Sequence, residues 1–172
     1  MTIDENYVFP LYITKEVIEG IKKICKENVN EVFGYLVGER YIWNKQKYIL
    51  LNHYLYLKEA FIANEFSFQE SGEKGIVNNI QFEFFKYSEE FDKLKLDQNN
   101  KNLLRLGWWH SHPNFGCFLS SVDLATQRSI FNKSYHVALV VDPIRDEFKF
   151  FTLNDQSENG YKEISYAIIK YK

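Results

Sequence analysis

His110 and His112 stand two residues apart, Pro113 follows them, and Ser120 and Asp123 lie beyond a short loop. On an extended strand, side chains two apart share a face, so both imidazoles can turn toward one ion. Asp123 would then sit in the first turn of the next helix. Two imidazoles and one carboxylate form an N,N,O set suited to Zn²⁺. Three protein ligands leave the fourth tetrahedral position to water, which separates catalytic zinc sites from closed structural ones. Each piece also has a plainer use. A His-x-His pair on a strand is commonly solvent-facing or hydrogen-bonded. Ser120-x-x-Asp123 is also the pattern of a helix capping box. The cap and the ligand roles are compatible.

The elements that must position these groups are legible as periodicities. Residues 7–13 read as a short strand. Thr14 can cap a helix over 15–27, where Val17, Ile18, Ile21, Ile24 and Cys25 make one apolar stripe. Residues 31–43 and 48–57 read as strands joined by a polar loop over 44–47. Residues 58–75 are irregular and long for a connection inside a compact domain, which marks them as a functional segment. The spacing of Val77, Ile80, Phe84, Tyr87, Phe91 and Leu94 predicts a helix over 76–94. Residues 103–112 form a strand stopped by Pro113. A loop over 113–119 and a helix over 120–133 follow. Strands over 135–141, 147–153 and 161–171 close the chain, with turns at 142–143 and 155–160. Trp108 and Trp109 alternate across their strand, placing one toward the core and the other toward a surface or groove. Helices and strands alternate, so the fold class is α/β with a mixed sheet.

Composition bounds the rest. A length of 172 residues with 45% hydrophobic and 26% charged residues fits a single domain, 1–172. A net charge of −2 argues against nucleic acid as the partner. No apolar run is long enough to span a bilayer, so no membrane role is expected. The N-terminal residues lack a signal-peptide pattern, and two cysteines cannot make a disulfide framework. A cytoplasmic setting follows as the expectation. His53 and His136 read as packed or hydrogen-bonded histidines. Cys117 reads as a structural thiol, with a nucleophilic Cys–His pair as the alternative.

The motif His110-x-His112-x7-Ser120-x2-Asp123 resembles that of the JAMM (MPN-plus) zinc metallopeptidases. The likeness extends over GWWHSHPNFGCFLSSVDLATQ, residues 107–127, which is similar to the active-site segment of the ubiquitin- and Nedd8-removing members in the proteasome lid and the COP9 signalosome. YHVALVVDP, residues 135–143, resembles the family's following strand. Residues 31–38, EVFGYLVG, resemble the strand that carries its catalytic glutamate. The resemblance implies a cytidine-deaminase-like α/β fold, a mixed β-sheet sandwiched by helices (the JAB1/MPN domain). It implies one Zn²⁺ per chain on His110, His112 and Asp123. Glu31 would be the general base and acid, and Ser120 would steady the oxyanion. The bound ion lowers the pKa of its water to about 7. Unaided, the residue pattern reads Glu31 as a surface carboxylate at a strand start.

The implied activity is hydrolysis of the bond after the C-terminal glycine of a ubiquitin-like protein, for deconjugation or precursor processing. Residues 58–75 are the candidate substrate-binding region, because family members clamp the modifier's tail with an insertion at this place. The stretch 142–161 is short, so the family's second insertion is reduced or absent. The chain is similar to compact stand-alone members from prokaryotic operons that also encode ubiquitin-like, E1-like and E2-like proteins, some of them antiviral. Two alternatives share the likeness: a zinc peptidase for a sulfur-carrier or other small-protein precursor, and a non-catalytic MPN scaffold.

Overall fold

The structure is a computed structural model that describes residues 8–57 and 88–171. Its element order is β1 (Leu11–Thr14), α1 (Lys15–Glu27), β2 (Phe33–Trp43), β3 (Gln46–Tyr56), α2 (Ser88–Asp97), β4 (Leu104–Ser111), α3 (Ser121–Ile130), β5 (Val137–Asp142), β6 (Glu147–Leu153), β7 (Tyr161–Ile164) and β8 (Tyr166–Ile169). The strands form one mixed sheet in the order β7-β6-β5-β4-β2-β3-β1-β8. Strand β4 pairs antiparallel with β2 and parallel with β5, and β1 pairs parallel with β3 and β8. Strands β7 and β8 are neighbours in sequence but lie at opposite edges, so the sheet curls until its ends approach each other.

Two apolar cores result, one on each face of the sheet. Helix α1 is capped by Thr14, whose hydroxyl accepts the Val17 N–H. It lays Val17, Ile18, Ile21 and Cys25 against Leu36, Trp109, Leu139 and Phe150. The opposite face packs Phe33, Tyr35, Trp108, Val140 and Phe151 with Phe91 of α2, Phe131, and Val122 and Ile130 of α3. The expected helix-flanked mixed sheet is therefore present. Both tryptophans are buried, Trp108 in one core and Trp109 in the other, so neither faces a surface or groove. The sheet is covered on both sides at this point, and alternation places each ring in a different core.

A bulge opposite Leu36 and Val37 re-phases the alternation along β4. Leu106 and Trp108, two apart, consequently fall in different cores. At Gly34, an added Cβ would come within 2.7 Å of the Trp109 indole nitrogen and would also strike the Leu55 carbonyl. The missing side chain is what lets Trp109 donate to that carbonyl at 3.2 Å.

Several boundaries differ from the sequence reading. The hairpin between β2 and β3 is a two-residue turn at Asn44 and Lys45, both at positive φ (46° and 65°). The strands therefore run on through residues assigned to a loop, because a turn of this hand follows the sheet twist. Helix α3 stops at Ile130, not at 133. Phe131 leaves helical geometry to enter the core while its N–H still bonds the Gln127 carbonyl. The last strand is two strands broken at Ser165, since one segment must complete both edges of the curled sheet. Residues 58–75 and the first part of the helix expected over 76–94 lie outside the described residues. No described helix is long and apolar enough to cross a membrane.

His136, buried beside Phe131 and Tyr135, accepts the Lys133 N–H at Nδ1. Burial and the nearby Lys133 charge push its pKa down to about 4, so it folds as the neutral ring. The unfolded chain binds the extra proton from about pH 6.5 downward, while the folded protein resists it until about 4. Stability therefore falls as the pH drops through this window, by at most about 3 kcal/mol from this residue. Urea unfolding across pH 4–6.5 is expected to give a shallower slope for His136→Gln than for the wild type; equal slopes would contradict the assignment.

Candidate metal centre

The β2–β4 pairing brings the chemistry-bearing residues together. His110 lies on β4 opposite Phe33, and His112 follows the strand end. Ser111 fastens the two strands at this point. Its N–H donates to the Val32 carbonyl at 2.9 Å, and its hydroxyl accepts the Val32 N–H at 3.0 Å, a link across 79 residues of sequence. Glu31 immediately precedes Val32 of this clamp and lies two residues before Phe33, the first residue of β2, so it stands just before the strand instead of starting it.

Both imidazoles are buried and meet Asp123 at the start of α3. His110 Nε2 and His112 Nε2 are 3.1 Å apart, and they lie 3.3 Å and 3.2 Å from Asp123 Oδ2. His110, His112 and Asp123 form the group of ligand-type side chains close enough to share one ion among the described residues. The capping box is also present. The Ser120 hydroxyl accepts the Asp123 N–H at 3.2 Å, and Asp123 Oδ2 accepts the Ser120 N–H at 2.8 Å. One carboxylate oxygen thus closes the helix N-terminus and faces both rings. The Ser120 hydroxyl keeps its own hydrogen available, because its bond with Asp123 uses the oxygen as acceptor.

The donor set fits a cation. A backbone carbonyl can only accept, so the 3.2 Å contact of His112 Nδ1 with the Gly116 carbonyl fixes the proton on Nδ1. That leaves a lone pair on Nε2, the atom facing His110 and Asp123. Two ring nitrogens and a carboxylate oxygen at these separations need a proton or a cation among them, and a cation can replace the protons that otherwise bond the rings to Asp123. These three residues are the ones that would hold a metal ion.

The ionisation of the site follows from the same crowding. Burial alone would raise the Asp123 carboxyl, but the charges and hydrogen bonds of His110 and His112 hold it far below the usual carboxylate range. Its place in the first turn of α3 also favours the anion. Burial lowers His112, yet hydrogen bonding to Asp123, the charges of Asp123 and Glu31, and the Gly116 carbonyl outweigh it and raise the pKa. Glu31 is open to solvent on one side and hemmed by protein on the other. Lost hydration pushes its pKa up, the two imidazoles pull it down, Asp123 pushes it up again, and the net shift is upward. His110, His112 and Asp123 therefore all act electrostatically on Glu31.

The floor of the site is aromatic. Trp108 stacks on His110 with ring centroids 4.3 Å apart and planes 15° from parallel. Gln127 holds Trp108 by accepting its indole N–H at 2.7 Å, and donates its own amide to the Phe131 carbonyl at 2.9 Å. Gln127 is legible in the sequence only within the resemblance, and its place in α3 one turn after Asp123 is the signal. Ser111 and Asp142 were missed: one is the middle of His-x-His, the other reads as an ordinary turn residue. Cys117 is half-buried, donates its thiol to the Val140 carbonyl at 3.4 Å, and is pushed up to about 11 by burial. A thiol so held is a poor nucleophile at neutral pH. His53 pairs with Asn52 at 2.8 Å, away from this group.

Residues 8–133 match the family described as JAB1/Mov34/MPN/PAD-1 ubiquitin protease, and the chain belongs to that family. Among curated proteins, it is 35% identical over 116 residues to the 26S proteasome non-ATPase regulatory subunit 14 of Dictyostelium discoideum, covering 67% of this chain and 32% of that one. It is 40% identical over 85 residues to ubiquitin carboxyl-terminal hydrolase RPN11 of Saccharomyces cerevisiae, covering 49% and 26%. It is 41% identical over 69 residues to COP9 signalosome complex subunit 5 of Neurospora crassa, covering 39% and 20%. The chain thus spans a third or less of these relatives. In structure, it superposes on protein DSY2949 of Desulfitobacterium hafniense with a TM-score of 0.56 at 18% identity, covering 94% of both chains. That likeness concerns the fold.

Gln127→Leu would remove the acceptor of the Trp108 indole N–H and one donor to the Phe131 carbonyl. Loss of about 1–3 kcal/mol is expected by urea unfolding; a loss below 0.5 would mean that this bridge does not support the floor of the site.

Proposed function

We propose that the chain is a zinc-dependent isopeptidase or peptidase that hydrolyses the bond following the C-terminal glycine of a ubiquitin-like protein. The observation that carries this reading is the buried meeting of His110 Nε2, His112 Nε2 and Asp123 Oδ2 within 3.1–3.3 Å, with Glu31 beside it. The family and the names of the relatives, a ubiquitin carboxyl-terminal hydrolase among them, support the substrate class.

When bound, the ion would supply Lewis acidity and a water that ionises near neutral pH. The protein's own groups do the remaining work. Glu31 accepts the proton from the attacking water and delivers it to the departing amine. Its raised pKa suits the first half of that task, since a carboxylate that holds its proton more firmly is a better base. The Ser120 hydroxyl donates to the carbonyl oxygen as charge develops there. Its oxygen is fixed by the Asp123 N–H, so the donor is oriented before substrate arrives. Trp108 and Gln127 keep the His110 ring from turning.

The test uses purified protein with ubiquitin-like proteins that carry C-terminal extensions. Cleavage after the terminal glycine is expected, with about one zinc per chain and loss of cleavage on chelation. Glu31→Gln is expected to keep the zinc, measured by metal analysis, and to lose about 10²–10⁴ in rate. A Glu31→Gln variant that cleaves at the wild-type rate, or a wild type that binds no zinc, overturns the reading. Ser120→Ala is expected to lose about 10²–10³ in turnover and, through the lost cap, about 1 kcal/mol in stability. Stability loss without a kinetic effect would leave Ser120 with the cap alone.

A further inference from the structure

Asp142 ends β5 and has no solvent exposure, although it is a carboxylate at a turn. Four backbone N–H groups converge on it. Its Oδ1 accepts from Asn114 at 2.9 Å, Ile144 at 3.0 Å and Arg145 at 3.1 Å, and its Oδ2 accepts from Gly116 at 2.8 Å. The Arg145 side chain adds a contact from Nε to Oδ2 at 3.5 Å and donates from Nη2 to the Asn114 carbonyl at 3.0 Å. Two of these bonds, to Ile144 and Arg145, are the local turn that any aspartate before Pro143 can make. The other two reach back to the loop after His112 and have no local purpose.

That loop is held in an uncommon shape. Asn114 and Gly116 both have positive φ, 65° and 82°. An L side chain at position 116 would be strained there, and an added Cβ would come within 3.1 Å of the Arg145 guanidinium. The shape directs the Gly116 N–H into Asp142 while its carbonyl accepts His112 Nδ1–H at 3.2 Å. A parallel bond from the His112 N–H to the Val141 carbonyl, 2.8 Å, ties the backbone of the same histidine to β5.

We infer that Asp142 is a positioning residue for the metal centre: through the Gly116 peptide units it fixes the tautomer and ring orientation of His112. The inference rests on the zinc reading above and extends it to a residue outside the His-His-Asp group. The chemistry requires a carboxylate. Every partner of Asp142 is a donor, so an amide of the same shape must aim its own NH₂ at one of them. Oδ1 serves three backbone N–H groups, while Oδ2 serves one beside the longer Arg145 Nε contact, so the amide oxygen stays with the three and the Gly116 N–H loses its acceptor. Asp142→Asn therefore keeps the turn and cuts the link to His112.

The experiment compares the wild type, Asp142→Asn and Thr14→Ala, the last weakening the fold through the α1 cap on the other core. ¹⁵N–¹H spectra of the metal-free proteins follow the His112 Nδ1 proton. Zinc affinity is read by competition with a chromophoric chelator. In the wild type and Thr14→Ala the proton is expected to be protected and visible. In Asp142→Asn it is expected to vanish into solvent exchange, with zinc bound about 10–100-fold more weakly. A protected Nδ1 proton in Asp142→Asn, or an unchanged zinc affinity there, overturns the inference. A similar loss in Thr14→Ala does so too. If the wild type binds no zinc, the functional reading fails by itself, and the Nδ1 proton alone then decides whether Asp142 holds His112.

Discussion

His110 Nε2, His112 Nε2 and Asp123 Oδ2 stand 3.1–3.3 Å apart in a buried position, and all three are electron-rich. Bringing such atoms together out of water is costly unless a positive charge joins them. The surrounding structure can be understood as the means of meeting that constraint. Strand periodicity turns two rings to one side, a helix N-terminus presents and stabilises the carboxylate, and a carbonyl chooses which ring nitrogen stays bare. The Ser120–Asp123 capping box belongs to the same economy of means, because its carboxylate oxygen closes the helix and faces the rings at once.

Rigidity comes from covering the sheet on both faces. Trp108 and Trp109 anchor β4 in separate cores, and each indole nitrogen has a fixed acceptor, Gln127 for one and Leu55 for the other. A strand pinned on both sides cannot slip in register without moving its histidines to the wrong face. Glu31 inherits this rigidity through Ser111, whose two bonds to Val32 hold the segment next to the site. The proposed proton carrier and the two histidines thus ride on one paired unit.

How much of this was legible in the sequence depended on distance along the chain. His110, His112 and Asp123 fall within a short stretch where strand and helix periods allow convergence, and the resemblance added Ser120. Helix α1 and its Thr14 cap were legible for the same local reason. Glu31 was not, since only pairing across 79 residues brings its segment to β4, and the family resemblance alone supplied it. Asp142 was hidden because an aspartate before proline has an adequate local explanation, and its long bonds to Asn114 and Gly116 leave no pattern in sequence. The break at Ser165 was hidden for a topological reason: two runs of strand-forming residues look like one until the sheet curls and needs a strand at each edge. The same two-sided coverage defeated the expectation that one of the adjacent tryptophans faces outward.

Anomalous diffraction at the zinc edge, from crystals grown with equimolar Zn²⁺, bears most directly on the central constraint. One strong peak is expected inside the triangle, about 2.0–2.2 Å from His110 Nε2, His112 Nε2 and an Asp123 oxygen. The absence of a peak there, or a peak elsewhere with the three side chains turned apart, would contradict the account.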